Sequence, residues 1–182
     1  YIILFVVLLS GCSAIDIERY DANTPKLDFN QFFSGQTKGW GIVQDRKGIL
    51  TRQFTVDIDG RVGSDGSLTL DEFFNWSDGE KSRRTWIINK TGEHQFTGNA
   101  GDVHGSAEGA VFGNVLNWRY YLDIEVDGTS WTIKFDDWMF LQPDGVLLNR
   151  ARVSKFGLTI GSVTLAFMKP AQELQSAAAA SR

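Results

Sequence analysis

The sequence predicts an all-β fold, an antiparallel up-and-down meander of about ten strands that curls and closes into a barrel. Three observations lead there. Glycine turn signals recur along the chain at Arg46-Lys47-Gly48, Asp59-Gly60, Ser64-Asp65-Gly66, Ser77-Asp78-Gly79, Lys90-Thr91-Gly92, Gly113-Asn114, Asp127-Gly128, Pro143-Asp144-Gly145 and Lys155-Phe156-Gly157. Asp-Gly and Gly-Asn supply the positive φ that tight hairpins require. The intervals hold alternating segments of about 7–12 residues, and no ten-residue helical pattern competes. The composition agrees: 182 residues carry only 3 Pro against 19 Gly, with 6 Trp and 13 Phe, which favours aromatic-rich strands and many turns. A meander of this size closes because closure removes its exposed edges. A two-sheet sandwich is the second architecture the pattern allows.

The chain opens with Tyr1–Leu9, YIILFVVLL. A transmembrane helix needs about 20 residues, so this run has instead the length of a signal-peptide apolar core. No basic segment or initiator Met precedes it, so the signal is expected to begin ahead of Tyr1. The run ends in Leu9-Ser10-Gly11-Cys12, which resembles the lipobox of bacterial lipoproteins. The resemblance implies cleavage between Gly11 and Cys12, and lipidation of the Cys12 thiol and the new amino group. Small residues let a protease reach extended backbone, and the thiol accepts the diacylglyceryl group. Acyl chains contribute about 0.8 kcal/mol per buried CH₂, so several would anchor the protein firmly. Ser13 rather than Asp follows; by resemblance to enterobacterial sorting this implies the outer membrane, facing the periplasm. The alternative is a buried N-terminal strand with an incidental Cys. Cys12 is the only cysteine, so no internal disulfide is expected.

Residues 1–11 are thus read as signal, and 12–35 as lipidated tether and short helical turn. Ser13–Lys26 is polar and closes at Thr24-Pro25; Leu27–Ser34 reads as a helical turn ending at Gly35. Residues 36–169 form the barrel domain. The strands are expected at Trp40–Asp45, Leu50–Ile58, Ser67–Trp76, Lys81–Asn89, His94–Asn99, Val103–Val111, Val115–Val126, Thr129–Gln142, Val146–Val153 and Leu158–Met168. The tail, 170–182, is Ala-rich after Pro170 and is read as frayed helix or disorder.

Side chains alternate between the faces of a strand. In Val115–Val126 the inward face is Leu116, Trp118, Tyr120, Leu122, Ile124 and Val126. The same test elsewhere places charges among apolar residues: Arg52 beside Phe54 and Val56, Glu72 beside Leu70 and Phe74, Arg84 beside Trp86, and Asp137 between Phe135 and Met139. An unpaired buried charge costs several kcal/mol, so these groups must pair, bind something or sit at a wet opening. One reading makes them a ligand site. Arg52 and Arg84 fork onto the anionic head of an amphipathic molecule, Glu72 and Asp137 balance and orient them, and Trp118 and Tyr120 line the cavity. The other reading makes them ion pairs that set strand register, or the product of a β-bulge.

Other chemistry is poorly supported. Formal net charge is −4, which argues against nucleic acid. Asp136 and Asp137 are neighbours and point to opposite faces, a poor carboxylate pair. His94 and His104 lack a third ligand, and His104-Gly105-Ser106 lacks the context of a nucleophile elbow. The segment from Gly98 to Gly113 marks a mobile loop or strands that must carry small side chains. The six tryptophans are read as core. No cofactor, metal or catalytic residue is assigned; Glu72 or Asp137 would serve as acid or base if the barrel were an enzyme acting on a lipid.

Long ordered motifs complete the reading: Trp40-Gly41-Ile42-Val43-Gln44-Asp45-Arg46, Phe54-Thr55-Val56-Asp57-Ile58, Leu68-Thr69-Leu70-Asp71-Glu72, Asp78-Gly79-Glu80 with Arg84-Thr85-Trp86, Asn117-Trp118-Arg119-Tyr120, Phe135-Asp136-Asp137-Trp138-Met139 and Lys155-Phe156-Gly157. With the lipobox, they resemble the bacterial lipoprotein family called domain of unknown function 3833, nearly end to end. The resemblance implies a lipocalin-like barrel and no established activity. The turn before Gly39-Trp40 is similar to the lipocalin start, which has one further residue between Gly and Trp. The expected function is a lipid-anchored envelope protein that binds or carries a hydrophobic or amphipathic molecule such as a fatty acid or lipid. A non-binding accessory or assembly subunit of the envelope is the alternative.

Overall fold

The structure, a computed structural model, describes residues 15–126 and 128–170. The signal, Cys12 and the Ala-rich tail lie outside the described residues. Ten antiparallel strands form one closed barrel: β1 (Gly35–Asp45), β2 (Leu50–Val62), β3 (Leu68–Trp76), β4 (Lys81–Lys90), β5 (Gln95–Asn99), β6 (Ala107–Phe112), β7 (Val115–Val126), β8 (Thr129–Leu141), β9 (Leu147–Lys155) and β10 (Leu158–Met168). Each strand pairs with its sequence neighbours, and β1 closes on β10 through a register running from Lys38↔Met168 to Asp45↔Gly161. The meander is therefore a barrel and not a sandwich.

The turn glycines Gly48, Gly66, Gly79, Gly113, Gly128, Gly145 and Gly157 have positive φ, as tight reversals demand. Asp59-Gly60 is an exception to the turn reading. Both residues lie inside β2, and the reversal comes later, at residues 63–67. Gly60 is needed for closeness: a Cβ there would sit 1.7 Å from the Phe33 carbonyl oxygen. The strand expected at Val103–Val111 also shortens. Only Ala107–Phe112 pairs continuously, and the preceding segment is a loop whose one β-bridge to the barrel is Val103↔Leu122.

A helix, α1 (Phe29–Phe33), plugs one end of the barrel. Asp28 caps it by accepting from the Gln31 amide at 2.9 Å, satisfying a donor that has no helical partner. Phe29 and Phe33, four residues apart, point one face inward. Phe29 meets Phe96 edge-on at 5.3 Å between centroids, and Phe33 meets Phe167 at 5.7 Å. Leu68, Leu116 and Leu147, all fully buried, complete this closed end. The described part of the segment read as a polar tether packs against the barrel. Ile17–Tyr20 forms a 3₁₀ turn, Tyr20 packs edge-on against Trp138 and Phe140 of the outer wall, and Leu27 is buried.

The tryptophans divide. Trp86 and Trp118 are core, Trp76 lines the cavity, and Trp40 is 45% exposed on the outer face. Trp138 is also outward, beneath Tyr20, and Lys155 covers Trp131 near the mouth. The small residues of β5 and β6 have a steric cause. The Trp118 indole lies against Gly98 and Gly109, where added Cβ atoms would come within 2.6 and 2.3 Å of the ring.

Candidate functional site

Above the helix plug the barrel interior is open as a cavity of about 660 Å³. That is the size range of small-molecule sites, about 300–1,000 Å³. Phe29 and Phe33 form its floor, and Leu70, Trp86, Ile133 and Leu165 belong to its walls. Its mouth is at the opposite end, among the β1–β2, β3–β4, β7–β8 and β9–β10 turns and the β5–β6 loop. All six positions singled out by alternation, Arg52, Glu72, Arg84, Trp118, Tyr120 and Asp137, line this one cavity. Strand parity holds through β2, β3, β4, β7 and β8, because the one register shift on β2 falls above Arg52, opposite Val43/Gln44.

Of the four charges expected to meet, only Arg84 and Glu72 pair with each other. Arg52 sits near the mouth, its guanidinium 3.9 Å from the Trp76 ring centroid. Its Nη2 donates to Asp78 and to Glu80, each at 2.9 Å, and not to Glu72 or Asp137. Asp78 and Glu80 belong to the β3–β4 turn, and Arg52 holds the Asp78 carboxyl below its ordinary value. Arg84 is deeper. Its Nε and Nη2 fork onto Asp102 at 2.7–3.0 Å, and its Nη1 is 4.0 Å from Glu72. Glu72 and Arg84 stand directly opposite each other across β3 and β4. The expectation that both arginines hold an anionic head meets a physical obstacle: each guanidinium is already engaged by carboxylates.

Asp137 is buried at 4% exposure. Its Oδ1 accepts from Asn149 Nδ2 at 2.5 Å. Its Oδ2, and the Asn149 Oδ1, have no hydrogen-bond partner among the described residues. Asp136 points outward, where Arg152 and Asn117 donate to it. Asn149 and Asp102 are the site residues sequence reasoning missed. Asn149 was legible, since it alternates inward on β9 with Leu147, Ala151 and Val153. Asp102 was not, because it comes from an irregular loop where alternation carries no information.

The apolar surroundings set the proton affinities. Burial pushes the Glu72 carboxyl up to about 7, against the pull of Arg84. Burial raises Asp137 to about 6, while the Asn149 amide and the Tyr120 hydroxyl oppose it. Burial and the Asp137 charge raise the Tyr120 phenol well above its ordinary value. The cavity thus presents two carboxyls that exchange protons near neutrality, inside walls that are mainly apolar. The histidines stand apart: His94 stacks on Phe112 and bonds the Val111 carbonyl, and His104 pairs with Asp123. Among the described residues no cluster of His, Cys, Asp and Glu is placed to hold a metal ion.

The mouth carries an apolar rim. Ile49 and Leu50 of the β1–β2 hairpin and Phe156 and Leu158 of the β9–β10 hairpin are all exposed, Phe156 at 92%. The two hairpin tips are neighbours because β1 pairs with both β2 and β10.

A model of the family described as protein of unknown function (DUF3833) matches residues 6–169. The chain belongs to this family. None of the curated proteins matches the DUF3833 chain. Among solved structures it is similar to the S-type phycobiliprotein lyase CPES from Guillardia theta, with a TM-score of 0.52 and 9% identity over 76% of this chain and 88% of that chain. At that identity the likeness concerns the fold. The DUF3833 chain is a lipocalin-like, ten-stranded antiparallel barrel.

Proposed function

We propose that this protein binds and carries a hydrophobic or amphipathic small molecule, a lipid being the class its walls fit, inside the barrel. The observation that carries the reading is the cavity of about 660 Å³, floored by phenylalanines and open at one end, with a polar cluster at mid-depth. A barrel that served only as a scaffold would gain stability by filling this space with side chains, since a cavity costs packing energy. The exposed apolar rim supports the same reading, because it offers an apolar ligand a point of contact at the mouth. The lipobox-like Leu9-Ser10-Gly11-Cys12 extends the proposal: lipid on Cys12 tethers the barrel to the bacterial outer membrane on its periplasmic side.

Native mass spectrometry of the purified chain, followed by solvent extraction, tests the binding. A co-purifying lipid-like mass, released on extraction, is expected. A clean apo mass that stays unchanged after incubation with envelope lipids overturns the reading in favour of an accessory protein.

A further inference from the structure

We infer that the polar end of the ligand is a hydrogen-bond donor, an N–H or O–H group received by Asp137 and Asn149, rather than an anion received by Arg52 and Arg84. The inference rests on the binding reading above and assigns the chemistry of its polar group.

Two acceptors inside the cavity are unsatisfied. Asp137 and Asn149 are each 4% exposed, both line the cavity, and Asp137 Oδ2 and Asn149 Oδ1 have no hydrogen-bond partner among the described residues. Buried polar atoms in folded proteins are nearly always paired, and an orphaned one costs the full desolvation of that group. An ionised carboxylate is acceptor-only, and a single amide does not satisfy it. The Tyr120 hydroxyl already acts on Asp137 and can supply it one donor, but Asn149 Oδ1 is left without any and the Asp137 carboxylate keeps room for a further one.

Arg84 and Arg52, by contrast, are already engaged by carboxylates. Arg84 is within electrostatic reach of Glu72, Asp102 and Tyr120, and three of its donor–acceptor contacts are already made to Asp102. Arg52 retains one buried unpartnered donor, Nε, but an anion approaching it would meet Asp78 and Glu80 on the same guanidinium. Carboxyls therefore outnumber cations along the polar side of the cavity. An incoming anion is repelled there, and a donor, above all a cationic one, is attracted.

The probes are three molecules sharing one tail: decylamine, decanol and decanoic acid. Each is titrated into the full chain at neutral pH, with binding read by calorimetry and by intrinsic tryptophan fluorescence, since Trp76, Trp86 and Trp118 line the cavity. The amine is expected to bind about tenfold or more tighter than the acid, with the alcohol between, as a charge-assisted hydrogen bond implies. Asp137→Asn is expected to erase most of the amine's advantage while leaving decanol within a few-fold. Equal affinities, or tightest binding of decanoic acid, overturn the donor assignment while the binding function stands. Binding of none of the three overturns the function itself. The wild-type series decides by itself if Asp137→Asn does not fold.

Discussion

Replacing Glu72 by Gln should remove a pH-dependent loss of stability. Burial raises this carboxyl from its ordinary 4.5 to about 7, with the Arg84 guanidinium offsetting only part of the rise. Below pH 4.5 Glu72 is protonated in both folded and unfolded chains and contributes no difference. As pH rises, the unfolded chain releases this proton first and the folded chain keeps it until about 7. The folded state therefore binds more protons across that window, and stability falls with rising pH before levelling off. At about 1.4 kcal/mol per pKa unit the full fall from Glu72 is about 3 kcal/mol. Asp137 adds a second fall, between 3.8 and about 6. Urea unfolding followed by tryptophan fluorescence across a pH series measures both. The wild-type curve should decline toward neutrality, and the Glu72→Gln curve should lack about 3 kcal/mol of that decline. Gln keeps the shape and an oxygen for Arg84, so packing changes little. Parallel curves for the two proteins at every pH would refute the assignment of the buried carboxyl to Glu72.

Asp71 should act in the opposite sense. On the outer face, Arg61, Arg83 and Thr85 all donate to it and hold its carboxyl far below the ordinary value. Its contribution is present above pH 3.8 and is lost on acidification; Asp71→Asn should cost about 1–3 kcal/mol at neutral pH, checked by urea midpoints. Gly60→Ala should destabilise by about 1–3 kcal/mol or loosen the helix plug, because its new methyl collides with the Phe33 backbone carbonyl; thermal unfolding and hydrogen exchange at α1 report it. Gly109→Ala should push the Trp118 indole off β6, visible as a red-shifted tryptophan emission and a lowered Tm. Cys12→Ala should move the protein from the membrane to the soluble fraction on cell fractionation, if lipid on that thiol is the tether; retention in the membrane would count against it.

Much of the barrel was legible because hairpin chemistry is local. A Gly after Asp or Lys, or before Asn, reports a reversal because it adopts positive φ without strain, and between reversals the period of two reports the inward face. That face carried Arg52, Glu72, Arg84 and Asp137 into one cavity without any knowledge of distant contacts. The misreadings also have local causes. Asp59-Gly60 looks like a turn, yet Gly60 is there to let α1 approach β2. Trp40 and Trp138 look like core by residue type, yet strand parity turns them outward.

The sequence by itself determined a meander of about ten strands, its inward faces and six residues of the cavity, since each follows from spacing along one strand or turn. Only the tertiary structure decided which charges meet. Arg52 found Asp78 and Glu80, Arg84 found Asp102 as well as Glu72, and Asp137 found Asn149. Those partners come from a neighbouring turn, a loop and the adjacent strands of the meander, and alternation along one strand carries no information about the register and loop course that set them side by side. The empty volume is likewise a property of closure. Ten strands set the bore, the helix plug fills one end, and what remains open is decided by the whole wall at once.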